Sequence, residues 1–508
     1  MLSFRALLSR PRKRVKRKHS IKPKCSSKQR SLRGYDPPFA DEGEADDCLE
    51  LPGFRLKSSD PSRSHGVQPL GNLYISPSRF NSRDAGLGGL SVLSDDLVID
   101  ILGLLDGAEL GRLSLVSKSF YVFCRHEPLW RNLSLESLKG EFLFTGSWKS
   151  TYVSGCYPHF RAEDGCVEVR DFYSDYLFQS WLCANVVMRP EWLKRDNIVR
   201  RRGISLEEFI SCFEDLNKPV LLEGCIDGWA ALGRWDKEYL VHIAGDKKFA
   251  VGPVDMSLEG YYKYAESTRE ERPLYLFDPK FAEKVPVLGS EYDVPIYFRE
   301  DLFSVLGDER PDYRWIIIGP AGSGSSFHID PNSTSAWNAV VKGSKKWVMF
   351  PPDVVPPGVH PSADGAEVAC PVSIIEWFMN FYEVARSWEK KPVECICKAG
   401  EVIFVPNGWW HMVFNLEESI AITQNYVSRS NLLNVLDFLK QPNAQELVSG
   451  TNDRINLYDK FKNAMEAKFP GTIDELRRKA EEKAILQRKQ SFWDSATDSK
   501  VGAFKFSF

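Results

Sequence analysis

Apolar positions along the chain change period several times, and each change marks a region. In residues 87–134, Leu90, Leu93, Leu97, Ile101 and Leu105 recur every three or four residues, the spacing of one helix face. Ser94-Asp95-Asp96 adds an N-cap residue and first-turn acids. A second stripe, Leu110, Leu113, Val116, Phe120 and Phe123, completes a compact helical module. Residues 135–203 are rich in aromatics without a clear period, which predicts packed irregular structure joining two domains. From 204 to 430 the apolar runs become short and β-branched: 220–222, 314–319, 346–350, 401–405, 410–416 and 419–427, with Gly, Pro and Asn between them. Many short strands punctuated in this way predict a β-sandwich or barrel. Residues 431–508 return to helical spacing at Leu432, Val435, Leu436 and Leu439, followed by a charged helix near 473–490.

The first 86 residues carry no such period. Residues 35–86, rich in Ser, Pro, Gly, Asp and Arg, read as a flexible linker. Of the 66 Lys and Arg, 13 fall in residues 1–33, which hold none of the 69 Asp and Glu, so the body of the chain is acidic. The run from Pro11 through Lys18 is too densely basic to fold alone, and the 1–34 segment is expected to act as a nuclear-import signal, placing the protein in the nucleus. A mitochondrial transit peptide, a nucleic-acid patch and a plain solvated tail are the rival readings. A chain of 508 residues has length for several domains and for a core that needs no disulfides. The 11 cysteines are odd in number and unpaired in spacing, and with no secretory leader evident, reduced thiols are expected. Cys395 and Cys397 would share one face of a strand. No run approaches the roughly 20 apolar residues of a membrane-spanning helix.

Two of the eight histidines stand out. His328-Ile329-Asp330 puts an imidazole and a carboxylate on one side of a strand, and His411 begins another strand just past Trp409-Trp410. Two imidazoles and a carboxylate cap one face of an octahedral ferrous ion and leave positions open for a cosubstrate and oxygen. A closed structural zinc site would take four ligands, often thiolates. His-x-Asp alone is common, but here the turn Gly322-Ser323-Gly324-Ser325-Ser326 leads into it and Pro406-Asn407-Gly408 leads into His411.

With Thr334-Ser335-Ala336-Trp337-Asn338, Gly343-Ser344-Lys345-Lys346-Trp347 and Ile420 through Val427, these blocks resemble the Jumonji-C oxygenases over about 210–430, and within them the arginine demethylase/lysyl hydroxylase branch. The resemblance implies a mainly β double-stranded β-helix, a cupin-like jelly roll, with surrounding helices. It implies His328, Asp330 and His411 as the catalytic ligands of Fe(II), with 2-oxoglutarate and O2 as cosubstrates. It further implies Lys345 as the ion-pair partner of the distal 2-oxoglutarate carboxylate, hydroxyl bonds to that carboxylate from Thr423 and Tyr275, Asn338 orienting the cosubstrate, and Ser325 where a close relative carries Thr. Because Lys345 and Lys346 alternate, one of them is expected to face outward. Trp337, Trp409 and Trp410 are expected to be core walls.

The earlier helical module, with Leu90 through Leu97, Leu115-Val116 and Pro128-Leu129-Trp130, resembles a small all-α F-box, with Ser91 or Ser94 where the family places Pro. This implies docking on a Skp-type adaptor through Leu93, Leu97, Ile101, Leu115, Val116, Pro128 and Trp130; a plain helical hairpin against the next domain is the alternative. F-box and Jumonji-C together resemble plant histone arginine demethylases. The implied activity is hydroxylation of an arginine N-methyl group on a histone tail or other basic protein, with release of formaldehyde, succinate and CO2. A side-chain (lysyl) hydroxylase without demethylation and a ubiquitin-ligase adaptor are the other readings, and the helices after 430 would serve a homodimer.

Overall fold

The computed structural model describes residues 50–51, 54–56, 66–160, 167 and 169–497; the basic tail and most of the stretch to 65 lie outside the described residues. Two sheets carry the site. The larger runs in the spatial order Val199–Arg202, Val220–Glu223, Glu401–Val405, Ser335–Lys342, Ser419–Tyr426, Arg314–Gly319, Leu276–Asp278, Lys248–Val251 and Val254–Ser257. The smaller runs Gly324–His328, Trp410–Asn415, Ser344–Phe350 and Val393–Lys398. Neighbours are antiparallel except Val199–Arg202, which is parallel to Val220–Glu223.

The two sheets close on each other as the expected cupin-like jelly roll. Ala336, Val340 and Ile403 of the larger sheet meet Trp347, Met349, Cys395 and Cys397 of the smaller in one buried cluster. Both cysteines are buried free thiols on one strand face, as expected. The outer faces are buried as well. Val348, Phe350, Met412 and Phe414 pack under the helix Ile374–Ser387, whose N-cap Ser373 accepts from Glu376 N at 3.2 Å. Trp337, Val402, Phe404 and Ile422 join a second core that runs on into the N-terminal helical module. Strands covered on both faces read as continuous apolar runs rather than as alternation.

The module itself comprises Asp95–Leu102, Gly107–Leu113, Lys118–Cys124 and Glu127–Leu138. Asp106 and Glu109 form a reciprocal capping box. Its core corrects one expectation: Trp130 is not a partner-facing residue. Its ring is 2% exposed, its Nε1 donates to Cys124 O at 2.7 Å, and it lies 5.6 Å from the Tyr152 ring. A large indole next to apolar helices is worth more buried than exposed. Leu93 is half-buried against the same core, whereas Leu97, Ile101, Leu115, Val116 and Pro128 are exposed.

Two further expectations change. Residues 66–86 are not a flexible linker. Val67–Gln68 pairs in parallel with Phe172–Tyr173, Asn81 caps Ser82–Leu87, and buried Arg83 reaches Asp95 at 2.6 Å. A two-residue strand and one ionic anchor leave no hydrophobic period to read. Residues 135–203 are not irregular throughout but carry the helices Trp148–Cys156, Asp175–Asn185 and Pro190–Leu193, the first two capped by Ser147 and Ser174. Of their aromatics, Trp148 and Phe172 are core while Phe160 is exposed.

Beyond the jelly roll, Leu432–Leu439 and Leu457–Lys468 pack on the segment Leu302–Glu309, with Phe303 and Phe461 rings 4.5 Å apart. The charged helix spans Thr472–Thr497. Among the described residues, no helix is long and apolar enough to cross a membrane.

Candidate active site

Sheet register brings the candidate ligands together. Gly324–His328 pairs with Trp410–Asn415 so that His328 lies opposite His411, after a register shift between Ser325 and His328. The strand can approach so closely because residue 324 is glycine. At its φ of +152°, a Cβ would lie 2.0 Å from Val413 O. Asp330 follows immediately, ahead of the short turn Pro331–Ser333.

One ligand atom from each of His328, Asp330 and His411 lies within 4.8 Å of the others. The imidazoles sit 4.1 Å apart, centroid to centroid, and His411 Nε2 is 3.9 Å from Asp330 Oδ2. Each ring directs Nδ1 at a main-chain carbonyl, His328 to Ser326 O at 2.8 Å and His411 to Trp409 O at 3.1 Å. A carbonyl can only accept, so Nδ1 carries the proton and the Nε2 lone pair is left for a metal ion. Burial pulls the His411 pKa down to about 4, keeping that imidazole neutral. Burial raises the Asp330 carboxyl, against the opposing effects of His328 and a bond from Asn425, and its Oδ2 is buried without a hydrogen-bond partner. A buried carboxylate oxygen left open beside two imidazoles whose Nδ1 atoms are tied to carbonyls is the donor set of a ferrous ion.

The remaining candidates line the same cavity, of about 130 Å³. Lys345 is 2% exposed, donates to Asn415 Oδ1 at 2.7 Å, and is lowered by burial to a pKa of about 8. The Tyr275 and Ser325 hydroxyls are 3.2 Å apart. Thr423 Oγ1 donates to Trp337 O at 2.9 Å. Asn338 is paired across the sheet with Thr423, and its Oδ1 is buried and unbonded. An unpaired ammonium, several hydroxyls and an open amide in one buried space fit a dicarboxylate.

The outward-facing lysine was misread. Lys346 does leave the cavity, but toward the helix that covers the smaller sheet rather than solvent: it is fully buried and ion-paired with Glu394 at 2.9 Å. Helix Ile374–Ser387 covers that face, and its Tyr382 hydroxyl also reaches Glu394, at 3.0 Å. Trp337, Trp409 and Trp410 are buried, as expected of walls.

Sequence reasoning missed Asn415, which holds Lys345, and Asn425, which donates to Thr334 Oγ1 at 2.8 Å. It also missed Trp347, stacked 5.9 Å from the His411 ring. Period-two counting would have found two of them, since Asn415 lies four residues past His411 on the same strand face and Trp347 two past Lys345. Also unforeseen were Phe277 and Trp315, half-exposed rings stacked 5.1 Å apart on the cavity wall, which Asp312 also lines.

Comparison with known proteins agrees with this geometry. Residues 205–431 match a cupin-like domain and residues 95–136 an F-box-like domain. The chain is 71% identical over 460 residues to the arginine-specific demethylase JMJ22 of Arabidopsis thaliana, covering 90% of this chain and 91% of that one. It is 39% identical over 360 residues to the lysine-specific demethylase JMJ21 of the same plant, covering 69% of this chain and 38% of the relative. It is 40% identical over 257 residues to the bifunctional arginine demethylase and lysyl-hydroxylase psr-1 of Caenorhabditis elegans, covering 47% and 63% respectively.

Proposed function

The chain belongs to the F-box-bearing Jumonji-C, cupin-like oxygenases that depend on iron and 2-oxoglutarate, and on that premise we propose that it demethylates arginine in basic protein tails such as those of histones. The observation that carries this reading is the single cavity holding His328, Asp330 and His411 beside the buried Lys345. Ferrous iron with 2-oxoglutarate and O2 supplies the C–H hydroxylation; on an N-methyl carbon the product loses formaldehyde, and the cosubstrate leaves as succinate and CO2.

The protein's part is holding and orienting. His328, Asp330 and His411 hold the metal through Nε2, a carboxylate oxygen and Nε2. Lys345 takes the distal carboxylate, assisted by Tyr275, and Thr423 joins them once its hydroxyl turns from Trp337 O to the carboxylate. Ser325 holds the Tyr275 hydroxyl, and Asn338 faces the rest of the cosubstrate. Asp312 with the Phe277–Trp315 stack suits a planar cation bearing methyl groups, by ion pairing at one edge and cation–π contact on the face.

The same reading places the protein in the nucleus through its Pro11–Lys18 cluster. It docks a Skp-type adaptor on the exposed Leu97, Ile101, Leu115 and Val116. A homodimer would use the Thr472–Thr497 helix, where Ile485 and Leu486 are exposed.

The test is mass spectrometry of methylarginine and unmodified histone-tail peptides after incubation with Fe(II), 2-oxoglutarate and ascorbate, with His328→Ala as control. Methyl loss with formaldehyde, absent in the variant, supports demethylation. Gain of one oxygen on unmethylated lysine would make the protein a hydroxylase, and no product and no succinate would leave the adaptor role alone.

A further inference from the structure

We propose that Arg131, on the last helix of the F-box-like module, is a positioning residue for the oxygenase site: it clamps the segment 270–275 so that Tyr275 stands against Ser325 in the cosubstrate cavity. This rests on the reading that Tyr275 contacts the distal carboxylate of 2-oxoglutarate.

Arg131 lies on Glu127–Leu138, but its guanidinium belongs to the oxygenase side. Its Nη1 reaches Glu270 Oε2 at 3.0 Å and donates to the main-chain carbonyl of Arg272 at 3.0 Å. Neither end is free in water: the two side chains are 18% and 15% exposed. The other Glu270 oxygen accepts from the Tyr264 hydroxyl at 2.8 Å and from Thr268 Oγ1 at 3.1 Å. Tyr264 in turn accepts from the backbone N–H of Leu274 at 2.7 Å. Leu274 is the neighbour of Tyr275, whose hydroxyl sits 3.2 Å from Ser325 Oγ.

A series of short polar contacts thus runs from the F-box-like helix to the Leu274 N–H, and the chain itself carries it one residue on to Tyr275 in the cavity. A second tie comes from the helix Asp175–Asn185, where Ser180 Oγ donates to Glu271 Oε1 at 2.8 Å. Segment 270–275 makes no strand pairing of its own before Leu276–Asp278 begins, so these side chains set its path. Arg131, Glu271, Arg272 and Tyr275 also line a cavity that meets the catalytic one at Ser325 and His328.

A buried arginine that serves both a carboxylate and a carbonyl is a directional anchor, because its donors diverge in a fixed plane. Without it, Glu270 keeps a buried charge with no cation and the 270–275 path loses its fixed end. The module is therefore part of the oxygenase framework, and whatever binds its exposed face bears on a helix wired to the cosubstrate site.

The experiment uses the full chain and measures KM for 2-oxoglutarate, kcat and Tm. Arg131→Ala should raise KM for 2-oxoglutarate roughly three- to tenfold, the worth of a lost positioned hydrogen bond, with kcat at saturation changed less than about twofold. Arg131→Lys should recover most of it. Glu270→Gln serves if Arg131→Ala does not fold, and should raise KM in the same direction. Leu110→Ala, in the same module and away from the clamp, should lower Tm and leave KM alone. Tyr275→Phe tests the reading underneath. If Tyr275→Phe raises KM while Arg131→Ala and Glu270→Gln do not, or if Leu110→Ala raises it equally, the clamp is overturned. If Tyr275→Phe itself leaves KM unmoved, the cosubstrate role of Tyr275 fails, and the clamp as proposed falls with it.

Discussion

Replacing Lys345 by Met sets fold stability against cosubstrate binding. The ammonium is buried, donates to Asn415 Oδ1 at 2.7 Å, and has its pKa lowered from 10.5 to about 8 by burial. At about 1.4 kcal/mol per pH unit, that depression costs the cosubstrate-free fold about 3 kcal/mol at pH 7. Met fills a similar volume without charge, and the lost hydrogen bond offsets about 1 kcal/mol of the gain. Lys345→Met should therefore be about 2 kcal/mol more stable at pH 7, with Tm higher by a few degrees. The difference carries a pH signature. A lysine whose folded pKa lies below its unfolded value destabilises the fold fully below about pH 8, and the effect vanishes as pH rises toward 10.5. The two proteins should converge across that window. Saturating 2-oxoglutarate should reverse the order, because its carboxylate finds a buried partner only in the wild type. The unpaired carboxylate would weaken binding by about 3 kcal/mol or more, on the order of 100-fold in Kd. Thermal unfolding at pH 7 and pH 10 and calorimetric titration of 2-oxoglutarate read both effects. The reasoning is refuted if Lys345→Met is the less stable protein at pH 7 without cosubstrate, if the gap is the same at pH 10, or if it binds 2-oxoglutarate as the wild type does.

Other substitutions test other parts of the argument. Lys346→Met leaves the buried Glu394 with only the longer contact to Arg195 Nε at 3.6 Å and should cost about 3 kcal/mol by chemical denaturation, whereas Lys346→Met with Glu394→Leu should recover most of it. Gly324→Ala drives a Cβ onto Val413 O and should cost roughly 3 kcal/mol, with Fe(II) affinity falling in parallel because His328 ends the same strand; unchanged metal binding would contradict the register argument. Leu115→Asp, at a residue 85% exposed, should leave Tm and peptide turnover unchanged and abolish co-purification with a Skp-type protein.

The jelly roll was legible because its strands are short, β-branched and punctuated by turn residues. The His328-Ile329-Asp330 spacing carried the metal site, although the strand ends at His328 and Asp330 stands just beyond it, at the head of the turn Pro331–Ser333, rather than on the strand face the alternation predicts. The strand 401–405 agrees residue for residue with its predicted bounds, and so does 314–319. What escaped the sequence is physical in each case. Lys346 looks like a solvent residue because alternation assumes that one face of a sheet is wet, and here helix Ile374–Ser387 covers it. Residues 66–86 look like linker because their order comes from Arg83 on Asp95 and from Asn81, whose Oδ1 accepts from Tyr173 N, both long-range polar contacts. Trp130 looks like a docking residue because the F-box resemblance carries it along with the adaptor-facing positions, and only the fold puts Tyr152 against its ring. Asn415 lay in plain view at the period of His411, but a neutral amide attracts no notice until the lysine it holds is seen to be buried.

The cavity's discomfort is itself informative. Asp330 Oδ2 and Asn338 Oδ1 are buried without hydrogen bonds, and burial pulls the Lys345 pKa down to about 8. Buried polar groups in folded proteins are normally satisfied, and each exception demands a reason. Here three buried polar groups, Asp330, Asn338 and Lys345, share one space, and the two charged ones make opposite demands. A carboxylate grouped with two imidazoles lacks a metal cation, and an ammonium across the cavity lacks an anion. Neutralising either alone by mutation would relieve the fold and destroy the site. A divalent cation bound with a dicarboxylate meets both demands at once, and leaves the aromatic wall of Phe277 and Trp315, in a cavity that Asp312 also lines, for a third, cationic guest. A carboxylate, an amide and an ammonium that single substitutions could remove, gathered in one cavity, are best explained as stability given up for binding.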